Sequence, residues 1–313
     1  VDIYAKNEDS KGNLDFWVVK LDSKGVVVWQ KTIGGIYIDE LKSIIQTKDE
    51  GFVLGGYSNS PVSGNKTAPN YGLGDYWIVK LNNEGVEEWQ RTLGGDKDDN
   101  LFALSQTSDG GFIVGGNSNS GATNSKSSSN KNGTDFWVLK LDGIGNIVWQ
   151  ETYNYGEFDV LTSIVENQNG TYLIGGFAQS EVKLNGQKSL DKSLKKEKEG
   201  INDYIALMIN ARGEEIWTQI VGSKGDEVMK KLFETRDGGY LLTGTSNGGI
   251  SRDKKAGTQI RWKNIKIITN KPVKYSRKST LIPVNTKNNL TIKEQKSGWK
   301  MLWDGKTTAG YFF

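Results

Sequence analysis

The residues in this sequence that could perform chemistry are mainly acidic, and they recur at a fixed place. An aspartate stands about ten positions after each of four spaced tryptophans; these aspartates are Asp39, Asp99, Asp159 and Asp226. The loop Gly94–Asn100 is richer and also contains Asp96 and Asp98. Because Ca²⁺ binds about six to eight oxygen atoms, the carboxylates of Asp96, Asp98 and Asp99 are calcium candidates.

The same carboxylates also have a structural interpretation. The loop departs from the calcium-loop pattern and has no Glu at the spacing that supplies a bidentate ligand. Aspartate side chains also accept hydrogen bonds from nearby backbone N–H groups and so stabilise turns. The sequence favours aspartates that cap the next turn or strand, with calcium as the alternative, and we expect no other cofactor.

Composition excludes several kinds of active site. The 313 residues include no His and no Cys, so they can form neither a Ser-His-Asp nor a Cys-His arrangement. Disulfides and thiolate zinc sites are excluded on the same ground. A glycosidase needs only two carboxylates about 5–10 Å apart. The conspicuous acids recur in every unit, however, whereas an active site usually uses unique residues, so we expect no catalytic residue and no enzymatic activity.

Paired aromatic residues are a second repeated feature. The pairs are Phe16/Trp17, Tyr76/Trp77 and Phe136/Trp137. Adjacent aromatic rings could form a platform that stacks on a sugar, or they could pack inside the folded repeat. Their recurrence in register favours packing between the units.

An internal repeat must position these residues. The phrase DFWVVKLDSKGVVVWQKTIGG begins at Asp15 and recurs at Asp75 and Asp135. A more divergent copy begins at Asp203. A second phrase, SIIQTKDEGFVLGGYSNS, begins at Ser43 and also has four copies. The predicted units lie near residues 15–60, 75–120, 135–180 and 203–247. Each unit contains one tryptophan of the set Trp29, Trp89, Trp149 and Trp217.

The pattern within each unit predicts four β-strands. In the first unit we expect strands over Phe16–Leu21, Val26–Lys31, Ser43–Gln46 and Phe52–Tyr57, separated by turns that contain Asp and Gly. Near-continuous apolar runs such as FWVV indicate sheets that are covered on both faces. The predicted fold is all-β, a β-propeller of four-stranded blades over residues 1–250, and a β-solenoid is the alternative. Residues 1–14 resemble the end of an earlier copy, so the units form either a four-bladed ring or part of a longer one.

The linkers between units are low in complexity. They are Ser60–Gly74, Ser120–Thr134 and Ser180–Asn202, and they are rich in Ser, Asn, Gly or Lys. Such segments are typical of solvated surface loops. All three leave the repeat at the same point, so in a propeller they would cluster on one rim. We expect that rim to be the recognition surface, with a protein or glycan as ligand.

Charge separates the last part of the chain from the rest. Residues 251–313 hold 15 of the 40 basic side chains but only 3 of the 37 acidic ones. This marks a domain boundary near residue 250 and a basic tail that is β-rich or irregular. No nucleic-acid motif accompanies the charge, so we expect no nucleic-acid partner.

No apolar run reaches the roughly 18–20 residues of a membrane span. The chain begins at Val1 without a signal peptide, as expected for a processed or trimmed protein.

The repeated phrase resembles the tandem repeats of secreted Bacteroidota proteins, many of which are cargo of the type IX secretion system. Its L-D-x-x-G-x-x-x-W portion is similar to repeats of quinoprotein-type propellers, in which a tryptophan locks adjacent blades together. The resemblance implies that the residues with this blade-docking role are Trp29, Trp89, Trp149 and Trp217. It also implies a secreted, cell-surface or periplasmic location in a Gram-negative envelope. No quinone cofactor is implied, because nothing matches its pocket.

Two segments of the tail resemble another family. GTQIRWKNIKI, residues Gly257–Ile267, is similar to the closing strand of a 3-keto-disaccharide hydrolase domain, a concanavalin-like sandwich. GWKMLWDGKTTAGY, residues Gly298–Tyr311, is similar to its opening strand. The tail therefore resembles a junction between tandem domains. Two functions follow: a non-catalytic binding or scaffolding propeller at the bacterial surface, with a secretion-machinery partner as one version, or part of a hydrolase acting on (3-keto-)disaccharides.

Overall fold

The repeated phrases fold into β-strands because they are rich in Val, Ile, Phe and Trp and are divided by Asp-Gly turns. The computed structural model describes residues 6–131, 133–180, 202–250 and 253–254. These residues contain strands and turns but no helix, so the all-β prediction is confirmed for them. They lie in one of two compact units, Val1–Lys254. Both hydrolase-like segments and most of the linker 180–202 fall outside the described residues.

Sixteen strands follow one another in the described residues. In chain order they are β1 Phe16–Leu21, β2 Val27–Ile33, β3 Asp39–Gln46, β4 Phe52–Ser58, β5 Asp75–Leu81, β6 Glu87–Leu93, β7 Asp99–Gln106, β8 Phe112–Ser118, β9 Asp135–Leu141, β10 Ile147–Tyr153, β11 Gly156–Glu166, β12 Tyr172–Ser180, β13 Asp203–Ile209, β14 Glu215–Val221, β15 Glu227–Glu234 and β16 Tyr240–Ser246. Each of the four repeat units contributes four strands, as the sequence predicts.

The strands form antiparallel sheets whose borders differ from those of the sequence units. Three sheets have four strands each, in the orders β3-β4-β5-β6, β7-β8-β9-β10 and β11-β12-β13-β14. Two-stranded sheets, β1-β2 and β15-β16, stand at either end of the series. Each four-stranded sheet thus joins the second half of one unit to the first half of the next. The long linker 59–74 connects paired strands of one sheet, with Phe52 opposite Leu81 and Ser58 opposite Asp75. The short segment 34–38 instead passes from one sheet to the next.

Consecutive sheets pack against each other in chain order. The first strand of each sheet contacts the first strand of the next, so that β3 meets β7, β7 meets β11 and β11 meets β15. All seven residues of β5 and all seven of β9 are buried, as predicted for sheets covered on both faces. Gly55 in β4 shows why glycine pairs recur in the repeat. A methyl group added to Gly55 would lie 2.6 Å from Leu104 Cδ2 and 2.9 Å from Leu101 Cδ2 in the next sheet.

The two end sheets expose positions that the inner sheets bury. Trp17 in β1 is 51% exposed and Leu21 is 53% exposed, whereas the matching residues Trp77 and Leu81 in β5 are 0% and 1% exposed. Leu241 in β16 is likewise exposed. The cause is pairing, since among the described strands β1 pairs only with β2 and β16 only with β15. The described part of the chain therefore shows stacked four-stranded sheets without a closed ring.

Candidate binding surface

The topology gathers the long loops at one end of the sheets. Strands β3, β5 and β7 begin at this end, and β2, β4 and β6 finish there. We call its loops the loop rim, defined as residues 34–38, 60–74, 94–98, 120–131 and 133–134. The short turns between paired strands, such as Asp22–Gly25 and Asn82–Gly85, lie at the opposite end. The predicted clustering of the first two linkers on one rim matches this arrangement.

A buried lysine fixes each described linker to its sheet. Lys66 is 1% exposed, and its Nζ donates hydrogen bonds to Ala68 O at 2.8 Å and Thr92 Oγ1 at 2.9 Å. The same Nζ lies 5.8 Å from the ring centroid of Trp77, in the range of a cation–π contact. Burial lowers the pKa of Lys66 to about 8. Lys126 repeats these contacts with Thr152 Oγ1 and the Trp137 ring.

A glutamine on the last strand of each of the first two four-stranded sheets completes this fixation. Gln90 Oε1 accepts from Thr67 N at 3.0 Å and from Trp77 Nε1 at 3.1 Å, while its Nε2 donates to Asn65 O at 2.8 Å. Gln150 makes the same three contacts in the next copy. The linkers 60–74 and 120–134 are therefore anchored loops. Their mostly exposed residues agree with the expectation of surface loops, whereas the bonds of their lysine and backbone groups to the sheet were not predicted.

The sequence held an unused signal for these anchors. Lys66 and Lys126 each stand nine residues before the aspartate that opens the next phrase, Asp75 or Asp135, although the linkers around them differ. A charged residue conserved in spacing inside otherwise unlike linkers indicates a fixed partner. Low complexity concealed this signal in the sequence.

The recurrent aspartates cap the segments that join the sheets. Asp39 Oδ2 accepts from Gly35 N at 2.6 Å, and Asp99 Oδ2 accepts from Gly95 N at 2.7 Å. Asp159 Oδ2 accepts from Tyr155 N at 2.7 Å in the same way. Such contacts hold the turn that precedes each first strand.

The fourth copy corrects the sequence alignment by one residue. Glu227, rather than the predicted Asp226, occupies the capping place and accepts from Ser223 N at 2.8 Å. Asp226 instead accepts from the backbone and the side-chain amide of Asn202. The spacing of ten residues from Trp217 leads to Glu227, so the residue type rather than the position changes in this copy.

The three calcium candidates point to different partners. Asp96 Oδ1 accepts from Gly121 N at 2.8 Å, and Asp98 Oδ1 accepts from Tyr57 Oη at 3.3 Å. Asp99 is buried and holds Gly95 N. Among the described residues, no three or more acidic side chains are grouped so that they could hold a metal ion. The structure therefore does not bring Asp96, Asp98 and Asp99 together as one site.

The four recurrent tryptophans each lie between two consecutive sheets. Trp29 Nε1 donates to Asn83 O at 3.0 Å, and Trp149 Nε1 donates to Ala211 O at 2.9 Å, in each case a carbonyl of the next sheet's turn. Trp89 packs on the turn at Gly145, where an added methyl would lie 2.9 Å from the indole ring. Trp217 lies 5.9 Å from the ring of Tyr240 in β16. These positions are those of residues that dock one sheet on the next.

The paired aromatics are used for packing, with one exception. Phe16 lies 4.9 Å from Trp77, and Tyr76 lies 4.8 Å from Trp137, so each contact joins neighbouring sheets. All four rings are fully buried and offer no face to a sugar. Trp17 alone among the six paired rings is half exposed, because β1 is an end strand.

Several apolar side chains on the loop rim are exposed to solvent. They are Ile36, Tyr37, Val62, Tyr71 and Leu73. The backbone beneath them is held in place, since Ser63 Oγ accepts from Ile36 N at 3.0 Å and Ser60 Oγ accepts from Tyr37 N at 2.9 Å. Exposed aromatic and aliphatic residues on a fixed backbone are typical of a recognition surface.

A shallow groove of about 200 Å³ lies between β2 and the β5–β6 hairpin and contains two carboxylates. Glu8 Oε2 accepts from Thr32 N at 3.0 Å, and Glu87 Oε1 accepts from Gln90 Nε2 at 2.9 Å. Glu8 thus holds the start of the described chain to β2, whereas Glu87 orients Gln90 of its own strand.

Comparison with known proteins leaves the family open. No protein-family model matches the sequence, and no curated protein matches it. A solved structure of a protein of unknown function from Bacteroides caccae is similar to this chain with a TM-score of 0.40 and 12% sequence identity. The similarity covers 75% of this chain and 62% of that protein, so the chain spans less than two thirds of the length of that structure. No helix in the described ranges is long and apolar enough to cross a bilayer.

Proposed function

We propose that this chain is a non-catalytic binding or scaffolding β-propeller, and that its loop rim binds a protein or glycan ligand. The observation that carries the proposal is the fixation of the rim. Lys66 is buried beneath a linker that presents Tyr71 and Leu73 to solvent, and Ser60 of that linker holds the backbone of exposed Tyr37. Lys126 is buried in the same way beneath the next linker. A preorganised surface loses less conformational entropy on binding than a flexible one, so such fixation favours recognition.

The propeller architecture is supported by the way the end sheets complement each other. Each inner sheet pairs the fourth strand of one unit with the first strand of the next, as β4 pairs with β5. By the same register, β16 would pair with β1 and place Leu242 opposite Val19. That pairing would join the two end sheets into a fourth four-stranded blade and cover Trp17. The ring would then have four blades, within the usual range of about four to eight.

The proposed location is the surface or periplasm of a Gram-negative envelope, with type IX secretion as the proposed route. The support is the resemblance of the repeated phrase to secreted Bacteroidota repeats. Fractionation of native cells with an antibody against residues 15–247 tests this proposal. Recovery in the cytoplasm would contradict it, and loss of export when the type IX machinery is removed would support the route.

Binding can be tested with defined probes and matched variants. A glycan microarray and a set of purified envelope proteins would be screened with the 313-residue chain. Replacing Tyr37 and Tyr71 together by Ala should weaken the binding of any ligand at least tenfold, since central aromatic residues dominate interface energy. The control replaces Val86 and Ile144 by Ala, because both are exposed apolar residues at the opposite end.

Two outcomes would contradict the proposal. One is equal loss of binding in the rim and control variants, which would place the ligand elsewhere. The other is turnover of 3-keto-disaccharides or ordinary disaccharides that disappears on replacing a single Asp or Glu, which would make the chain a hydrolase.

A further inference from the structure

Pairs of acidic side chains meet where one sheet joins the next. Asp75 opens β5 and Asp99 opens β7, and Asp99 N donates to Gly74 O at 2.7 Å, which brings the two residues side by side. A methyl group on Gly94 would lie 1.8 Å from Asp75 Oδ1 and 2.9 Å from Asp99 Oδ2. Both carboxyl groups therefore lie beside Gly94, on the side where a Cβ atom would stand. Both residues are 0% exposed. We call this pair the Asp75–Asp99 joint.

The hydrogen bonds at this joint leave one oxygen of each carboxyl group without a donor. Asp75 Oδ2 accepts from Tyr71 N at 2.6 Å. Asp99 Oδ2 accepts from Gly95 N at 2.7 Å and Ser120 Oγ at 2.8 Å. Among the described residues, Asp75 Oδ1 and Asp99 Oδ1 have no hydrogen-bond partner of good geometry, although the Ser118 hydroxyl lies near enough to Asp99 to favour its ionised form. Buried polar atoms are rarely left in this state, and two adjacent buried carboxylates strongly oppose each other's ionisation.

The third copy of the joint contains a side-chain hydrogen-bond donor that the second copy lacks. Asn154 stands where the second copy has Gly94, and its Nδ2 donates to Asp135 Oδ1 at 2.6 Å. The chain thus supplies a donor to Asp135 from its own side chain, while Asp159 Oδ1 has no partner among the described residues. In the fourth copy, Glu227 is satisfied by the hydroxyl groups of Ser223 and Ser246. The Asp75–Asp99 joint has neither an asparagine donor at the Gly94 position nor a pair of serine hydroxyl groups on a single carboxyl oxygen.

We propose that Asp75 and Asp99 share one proton, which makes the joint between the first two four-stranded sheets a pH-sensitive contact. The proton resides on Asp75 and is donated to the carboxylate of Asp99. When it leaves, two buried anions face each other and the joint is weakened. This property is independent of what the loop rim binds.

The charged and titratable groups around the joint agree with this assignment. Those that act on the pair are Tyr57 from β4, Lys66 from the first linker, Tyr76 from β5 and Lys126 from the second linker. Burial, reinforced by the charge of Asp99, raises the pKa of Asp75 to about 7, although Lys66 and the backbone bond from Tyr71 act in the opposite direction. Burial also raises the pKa of Asp99.

The sign of the pH effect follows from linkage. Asp75 holds its proton up to about pH 7 in the folded protein but only to about pH 4 in the unfolded chain. The stabilisation is complete below about pH 4 and is lost as the pH rises through about 7. Asp159 behaves likewise, because burial raises its pKa to about 7, so it adds its own share to the same window.

The test is the pH dependence of unfolding in the full chain and in Asp75→Asn. The side-chain amide of Asn donates at any pH, so the variant should take up about one proton fewer on folding between pH 5 and 7. Its melting temperature at pH 8 should exceed that of the parent. Asp22→Asn is the control, since the second copy carries Asn82 at that exposed turn position and the melting temperature at pH 8 should not rise.

Infrared spectroscopy provides a second readout that does not depend on variant stability. The parent protein should show a protonated-carboxyl band that titrates near pH 7, and its amplitude should fall in Asp75→Asn. If Asp75→Asn fails to fold, Asp99→Asn takes its place. Unchanged proton uptake together with an unchanged band would overturn the proposal. It would also be overturned if Ca²⁺ or Mg²⁺ raised the melting temperature of the parent at pH 8, since a cation would then bridge the carboxylates.

Discussion

Asn154 donates a hydrogen bond from Nδ2 to Oδ1 of Asp135 over 2.6 Å, in a place where the other three copies of the repeat have glycine. Asp135 is 0% exposed, and its other oxygen accepts from Lys131 N at 2.9 Å. One residue that breaks the repeat pattern thus completes the hydrogen bonding of a buried acid. The departure of Asn154 from the consensus has a structural cause.

Replacing Asn154 by Ala should destabilise the protein by about 1–3 kcal/mol, because Asp135 Oδ1 would be buried without a donor. Asn154→Asp should cost more, since it adds a carboxylate of the same shape beside Asp135. Urea unfolding at pH 8 measures both. The control, Asn83→Ala, changes an exposed turn residue and should stay within about 0.5 kcal/mol. Equal stability of Asn154→Ala and the parent would mean that water or a proton satisfies Asp135.

Replacing Trp89 by Ala should cost about 3–5 kcal/mol, the usual range for an aromatic side chain that packs between elements. Its ring lies against the turn at Gly145 and 5.9 Å from Phe112 of the next sheet. Trp217→Ala should cost less, because Trp217 docks on the two-stranded sheet β15-β16. Denaturant unfolding measures both values. A change near zero for Trp89 would mean that its ring is available as a ligand platform.

The strands were predictable from sequence, but the sheet borders were not. Apolar runs and Asp-Gly turns locate β5 and β6 because these signals are local. A repeat has no defined starting point, however, and only long-range pairing decides that β4 joins β5 rather than β3 joining β2. Each sequence unit therefore divides its four strands between two sheets.

The candidate site shows the same division between local and long-range signals. Tyr76 and Trp77 were predicted to pack rather than bind sugar, because recurrence in register is visible in the sequence. The role of Lys66 was not predicted, since its partner Thr92 lies 26 residues away on β6. The loop rim could be anticipated as a location, whereas its fixation depends on such distant contacts.

Glu50→Gly should stabilise the protein by about 1 kcal/mol. Glu50 has a φ of 66°, in the left-handed region, where the other copies have glycine at Gly110, Gly170 and Gly238. A non-glycine residue in that region is strained by about 1 kcal/mol or more. Thermal unfolding followed by circular dichroism measures the gain.

The reverse change, Gly110→Glu, is the matched control for this position. It should lower stability by a similar amount, because no atom of the described residues lies within 4 Å of the added Cβ and the backbone conformation opposes the change. Opposite signs for the two variants would establish the conformational cause. Equal signs would contradict it.

Acid should weaken the protein below about pH 4 through Asp49 and Asp109. A hydrogen bond from Thr47 and contacts with Lys80 lower the pKa of Asp49 to about 2. Burial opposes the same shift at Asp109, but bonds from Thr107 and Lys140 lower its pKa to about 2. Both carboxylates pair with buried lysines, at 3.0 Å for Lys80 and 2.9 Å for Lys140.

A lowered pKa contributes stability that is present above about pH 4 and is lost as the pH falls towards 2. The double variant Asp49→Asn/Asp109→Asn should therefore lose stability at pH 5 and show a flatter profile between pH 4 and 2. Urea unfolding at pH 5, 3 and 2 measures it, with exposed Asp9→Asn as the control. An unchanged acid slope in the double variant would show that other carboxylates dominate.

Ring closure can be tested with engineered cysteines, because the chain contains none. The pair Val19→Cys/Leu242→Cys corresponds, through the repeat, to the observed cross-strand pair Leu54 and Val79. Cross-strand neighbours come close enough for a disulfide only when their strands pair. If β16 pairs with β1, mild oxidation should give a disulfide within a monomer, seen as an intrachain cross-link by mass spectrometry. Leu54→Cys/Val79→Cys is the positive control. Disulfide-linked dimers, or free thiols under conditions that oxidise the control, would show that the two end sheets do not pair within one chain.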